Sequence, residues 1–188
     1  MSLIIATGNL FDQEADIYVN TANCVGVMGK GIAKSISERW PSVEKDFRRL
    51  CGRGLNCEGV PDERYSGRRD DPLPPCLNRE PPCPCKIHKI RPGHFLFSKT
   101  GEDKPKWILH LPTKRKWNNP SSLVDVEAGI MNMRDRLAQR SDHLTIAMPA
   151  PGCANGGLSW RDVLPLVQFY LDDVSLRHHT IISLEPRS

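Results

Sequence analysis

Short apolar runs alternating with helical patterns constrain this chain more than any other feature. Leu3 to Ala6, Ile17 to Val19, Phe95 to Phe97, Trp107 to Leu111, Leu144 to Met148 and Thr180 to Leu184 each read as a strand. Between them, Gly31 to about Leu50 reads as helical, with Ile32 and Ile36 one turn apart and Pro41 as a break or restart. Leu123, Val126, Ile130, Met133 and Leu137 recur at helical spacing behind a capping box of Ser122 and Asp125. Ser159 with Asp162 repeats that signature ahead of Val163, Leu164, Val167 and Leu171. Strands interleaved with helices predict an α/β layered domain with the sheet in the middle, and such sheets bind ligands beyond the carboxyl ends of their strands.

One stretch breaks the pattern. Half of the 16 prolines and five of the seven cysteines lie between Cys51 and Pro92, with no apolar periodicity. The expectation is a single domain over 1–188 with a Cys/Pro-rich insertion at about 51–90. Cys57, Cys76, Cys83, Cys85 and His88 supply enough ligands for a structural zinc site, although paired CxxC knuckles are missing. The other reading is a loop with free thiols, so no metal is assigned. An odd cysteine count and the lack of a basic, apolar leader point to a cytoplasmic protein. No run approaches the roughly 18 apolar residues of a membrane span, so no membrane partner is expected, and the chain reads as a monomer. A net charge of +4 allows a phosphate-bearing partner without requiring one.

The glycines gather in two loops. Val19-Asn20-Thr21-Ala22-Asn23-Cys24-Val25-Gly26-Val27-Met28-Gly29-Lys30-Gly31-Ile32 leaves an apolar strand and enters a helix. Gly29 and Gly31 let backbone N–H groups approach an anion at the helix N-terminus, while Asn20 and Asn23 offer neutral partners for ribose hydroxyls. A nucleotide-hydrolysing P-loop ending at Lys34-Ser35 is excluded, because Met28 and Ala33 stand where glycines are needed. The second loop, Pro149 to Trp160, contains Gly152, Gly156 and Gly157 and also joins a strand to a capped helix. Two such loops facing each other would hold a diphosphate between them.

The strand-Val-Asn-x-x-Asn-loop-Gly-x-Gly-helix element, followed much later by Pro-x-x-Gly-Cys-x-x-Gly-Gly-Leu-x-Trp, resembles the macrodomain family. Gly8-Asn9-Leu10-Phe11, Val25 to Gly31, Arg91-Pro92-Gly93 and Leu111-Pro112-Thr113-Lys114-Arg115-Lys116-Trp117 resemble its DarG-type branch more narrowly. The resemblance covers residues 1–50 and about 90–184. It implies a three-layer fold with a central mixed sheet flanked by helices, and an ADP-ribosyl glycohydrolase acting on nucleic acid with no cofactor needed for catalysis. The implied partners are ADP-ribosylated nucleic acid and a DarT-like toxin. A non-catalytic ADP-ribose reader, or a hydrolase of ADP-ribosylated protein or ADP-ribose derivatives, is the alternative.

Roles carry over residue by residue. Asn9 and Leu10 would meet adenine, with Asn9 standing where the family more often has an acid. Gly29, Lys30, Gly31 and Ile32 would line the diphosphate from one side, and Gly152, Cys153, Ala154, Asn155 and Gly156 from the other. Asn20 and Asn23 would sit near the distal ribose and its scissile bond, with Lys114 and Asn23 catalytic, and Thr113 and Pro151 would also contact ADP-ribose. A lysine nucleophile needs a neutral amine, which burial or nearby cations such as Arg115 and Lys116 would favour. Gly156 occupies the position where the human relative has an assisting acid, which favours a nucleobase-linked substrate. Trp160 reads as core by its helical spacing; Trp117, beside the lysine, reads equally well as a base-stacking residue or a surface one.

Overall fold

A computed structural model describes residues 3–53, 90, 92–172 and 178–184. The strands are β1 (Leu3–Thr7), β2 (Ile17–Asn23), β3 (Leu96–Lys99), β4 (Trp107–Lys114), β5 (Thr145–Pro149) and β6 (His179–Leu184). The helices are α1 (Gly31–Arg39), α2 (Pro41–Arg53), α3 (Leu123–Ala138) and α4 (Trp160–Leu171). One sheet runs β1-β6-β5-β2-β4-β3, parallel throughout except for the antiparallel edge strand β3. This is the mixed, helix-flanked sheet that the family resemblance implied.

Strand alternation divides the core into two layers. Tyr18, Ala22, Ile108 and Ala147 face Ile36, Val43 and Phe47 of α1 and α2. Val19, Leu109, Leu111, Ile146 and Met148 face Val126, Ile130 and Met133 of α3 and Val163, Val167 and Leu171 of α4. Central strands buried on both faces read as continuous apolar runs, which is why the sequence marked them as strands without alternation.

The expected helix boundaries hold at their caps. Ser122 Oγ accepts from the Asp125 N–H at 3.1 Å, and Ser159 Oγ accepts from the Arg161 N–H at 3.2 Å. Pro41 starts α2 instead of kinking a longer helix. Trp160 packs partly buried against the α3/α4 layer, as its spacing predicted. β4 extends three residues beyond the apolar run that marked it, so Thr113 and Lys114 are the last residues of a strand. No helix among the described residues is long and apolar enough to cross a membrane. No group of three His, Cys, Asp or Glu among them could hold a metal ion. The zinc candidates Cys57, Cys76, Cys83, Cys85 and His88 lie outside the described residues.

Candidate functional site

The carboxyl ends of β2, β4 and β5 lie side by side, and three loops meet there. The loop after β2 reaches α1, the turn after β4 carries Arg115 to Pro120, and the loop after β5 carries Pro151 to Ser159. Asn23 and Lys114 are register partners at the ends of β2 and β4.

Lys114 bridges the parts. Its Nζ donates to the Asn155 main-chain oxygen at 2.8 Å, while its own carbonyl accepts from Cys24 Sγ at 3.5 Å. Burial pushes the Lys114 amine below its usual pKa, which enlarges the neutral fraction a nucleophile needs. The neighbouring Arg115 and Lys116 are exposed, so the lowering comes from desolvation and not from the cationic cluster.

The two glycine loops do face each other. A Cβ on Gly31 would lie 2.7 Å from Asn155 Nδ2. Gly31 also has φ +55°, a conformation that L side chains adopt only at a cost. Lys30 caps α1 with its backbone extended and no side-chain hydrogen bond, leaving the first amides of the helix for an incoming anion. Gly29 and Lys30 are exposed, and Ile32 packs partly buried on the α1/α2 core layer.

The loop after β5 is tightly wound. Gly157 N–H donates to the carbonyls of Cys153 at 3.0 Å and Ala154 at 3.1 Å, and Leu158 N–H donates to Gly152 at 3.0 Å. A Cβ on Gly156 would collide with the Gly152 carbonyl and with Ser121 Oγ. Glycine at 156 is therefore a packing requirement, whatever it also does for substrate choice. Ser121 ties the site together: its N–H donates to the Gly156 carbonyl at 2.9 Å and its hydroxyl to Thr113 Oγ1 at 3.3 Å. Nothing in the sequence marked Ser121, because its partners are 8 and 35 residues away. Pro151 and Gly152 are buried, Cys153 is half-buried, and Ala154 and Asn155 are exposed.

The asparagines divide their tasks. Asn23 Oδ1 accepts from the N–H groups of Val25 at 3.0 Å and Val27 at 3.3 Å, and its Nδ2 donates to the Val27 carbonyl at 2.7 Å. Its amide shapes the loop from within. Asn20 is fully buried, and its Nδ2 donates to His110 Nδ1 at 3.0 Å. His110 Nε2–H therefore donates to Ser98 Oγ at 3.0 Å, and Ser98 donates on to Asp46 Oδ2 at 2.7 Å. Phe47 stacks on the imidazole at 4.1 Å, and burial pushes the His110 pKa down to about 3, so the ring is neutral. His110 and Ser98 were absent from the sequence-derived site.

At the far end, Asn9 caps the short 3-10 helix Leu10–Asp12, its Oδ1 accepting from the Phe11 N–H at 3.0 Å. Leu10 is buried. Tyr18 OH donates to the Gln13 carbonyl at 2.8 Å, and Arg39 lies 4.5 Å over the Phe11 ring. These contacts fix the loop after β1 beside the end of α1. The described thiols Cys24, Cys51 and Cys153 are free, with pKa values pushed up by burial to about 12, 12 and 11. None is poised as a nucleophile.

The chain and its fold are similar to known proteins. The model of the Macro domain family matches residues 77–167. A DNA ADP-ribosyl glycohydrolase of Mycobacterium tuberculosis is 30% identical over 158 residues, 84% of this chain and 35% of that protein. The chain thus spans about a third of the length of the curated relatives it matches. Among solved structures, the macrodomain of Mycobacterium tuberculosis DarG aligns with TM-score 0.68 and 27% identity over 99% of this chain and 98% of that one. The macrodomain of Thermus aquaticus DarG aligns with TM-score 0.71 and 26% identity over 98% of both chains.

Proposed function

We propose that this chain, whose fold matches the DarG macrodomains, holds ADP-ribose in its cleft and that Lys114 cleaves ADP-ribose from a nucleic acid base. The observation that carries the reading is the placement of Lys114: a partly desolvated amine between the two glycine loops, hydrogen-bonded to Asn155 at 2.8 Å. The diphosphate lies against the uncapped start of α1 on one side and the loop from Pro151 to Gly156 on the other. Adenine lies against Asn9 and Leu10, and the distal ribose near Asn23, Thr113 and Lys114. Asn20 acts from within the sheet, holding β2 through His110.

In the reaction, neutral Nζ leaves the Asn155 carbonyl and attacks the anomeric carbon of the distal ribose. The bond from that carbon to the base breaks, and the base leaves with the electron pair and takes up a proton. The ring opens to a Schiff base on Nζ, and water then releases ADP-ribose and returns the free amine. The relatives' names support a DNA-linked substrate for this cleft. A DarT-like transferase that modifies DNA is the source of substrate that this reading implies.

Single-stranded DNA bearing ADP-ribose on a base, incubated with the protein, tests the reading by release of ADP-ribose. Release that disappears in Lys114→Ala while ADP-ribose binding persists supports it. Tight ADP-ribose binding with no release from DNA would instead make the domain a reader. Release from ADP-ribosylated protein alone would make it a protein-directed hydrolase.

A further inference from the structure

We propose that Trp117 and the basic turn that carries it form a stacking platform for an unpaired base next to the ADP-ribosylated nucleotide. The inference rests on the cleft being an ADP-ribose site and deepens it, naming the residue that holds the base flanking the modified one.

The turn is closed in both directions. Asn119 N–H donates to the Lys116 carbonyl at 3.1 Å, and Lys116 N–H donates to Asn119 Oδ1 at 3.2 Å. Trp117 and Asn118 form its corner. Both feet are pinned to the ligand loops: Cys24 N–H donates to the Arg115 carbonyl at 3.1 Å, and Ser121 N–H donates to the Gly156 carbonyl at 2.9 Å. The turn therefore holds a fixed place relative to Lys114, and three residues of chain separate Trp117 from it by at most about 11 Å.

Trp117 is 57% exposed, whereas Trp40 is buried and Trp107 and Trp160 pack against the core. A large indole held in water at the end of a braced turn is available as a flat binding face. Arg115 and Lys116 are exposed beside it and make no ion pair among the described residues. Val25 and Val27, 47% and 40% exposed on the adjoining loop, add an apolar rim. An aromatic face flanked by unpaired cations is the combination that grips a single strand, the ring stacking on a base and the cations tracking phosphates. Continuity with the cleft means that a strand entering with its modified base at Lys114 passes over Trp117.

The experiment titrates a fluorescein-labelled, unmodified single-stranded oligodeoxynucleotide of about ten residues with wild type, Trp117→Ala, Trp117→Phe and Lys116→Ala, reading anisotropy at several salt concentrations. Loss of one stacked base is expected to weaken binding about tenfold in Trp117→Ala, with Trp117→Phe retaining most of the affinity. Lys116→Ala is expected to lower the salt slope of log affinity by about 0.7. No binding by wild type, equal binding by Trp117→Ala, or displacement of the oligonucleotide by polyglutamate at equal charge would overturn the proposal. ADP-ribose titrated into the same proteins separates the two readings. Its binding by Trp117→Ala shows an intact fold, and its failure to bind wild type would sink the ADP-ribose reading without touching the anisotropy result.

Discussion

Lys114 Nζ and the Asn155 carbonyl, 2.8 Å apart, connect the end of β4 to the loop after β5 across 41 residues of sequence. The contact holds the amine where both glycine loops converge, and it occupies the amine with a neutral partner. A carboxylate in that place would fix the positive charge on the lysine; a carbonyl holds its position while desolvation lowers its pKa.

Removing the amine should separate chemistry from binding. Lys114→Ala is expected to lower the rate of ADP-ribose release from DNA by at least about a thousandfold, with ADP-ribose affinity within a few-fold of wild type. Single-turnover release and calorimetric titration measure the two. Equal turnover in the variant would remove Lys114 from the reaction.

The same lysine predicts a pH profile. Attack needs the neutral amine, so the rate should rise with pH and level off above the Lys114 pKa, which lies below the usual lysine value because of burial. Lys114→Arg keeps the charge and should give no such rising limb.

Gly156 tests the packing of the second loop. Gly156→Ala places a methyl group against the Gly152 carbonyl and Ser121 Oγ. The loop must move, with an expected stability cost of about 2 kcal/mol, or a fall in Tm of roughly 4–8 °C for a domain of this size. ADP-ribose affinity should fall with it. An unchanged melting curve would show that the loop accommodates the methyl group.

His110 should make the protein acid-sensitive. Its folded pKa of about 3 lies below the ordinary histidine value near 6.5, so the unfolded chain binds the extra proton first as pH falls. The contribution to stability is complete above about pH 6.5 and is lost at roughly 1.4 kcal/mol per pH unit on the way down to pH 3. Chemical denaturation of wild type and His110→Gln at pH 7, 5.5 and 4.5 measures this. The variant should start less stable, since Asn20 and Ser98 lose their shared partner, and it should show a shallower slope.

The thiols should be slow to react. With pKa values of about 12, 12 and 11, Cys24, Cys51 and Cys153 carry little thiolate at pH 8. Iodoacetamide labelling followed by peptide mapping should find each far slower than free cysteine in the native protein and comparable to it after unfolding.

The six apolar runs, both serine caps, the start of α2 at Pro41 and the two glycine loops were all legible in the chain. Each rests on neighbours a few residues apart: a burial period, a hydroxyl two or three residues from the amide it caps, a glycine where the backbone must turn. The lysine was legible only through resemblance to a family, because nothing local distinguishes Lys114 from Arg115 or Lys116. Tertiary structure decided the rest. The Lys114–Asn155 contact, the bridge made by Ser121, the relay from Asn20 through His110 and Ser98 to Asp46, and the lack of room at Gly156 all join residues from different strands and loops. Sequence determines which backbone shapes each segment prefers; only the assembled sheet determines which segments share a cleft, and desolvation and steric fit exist only once they do.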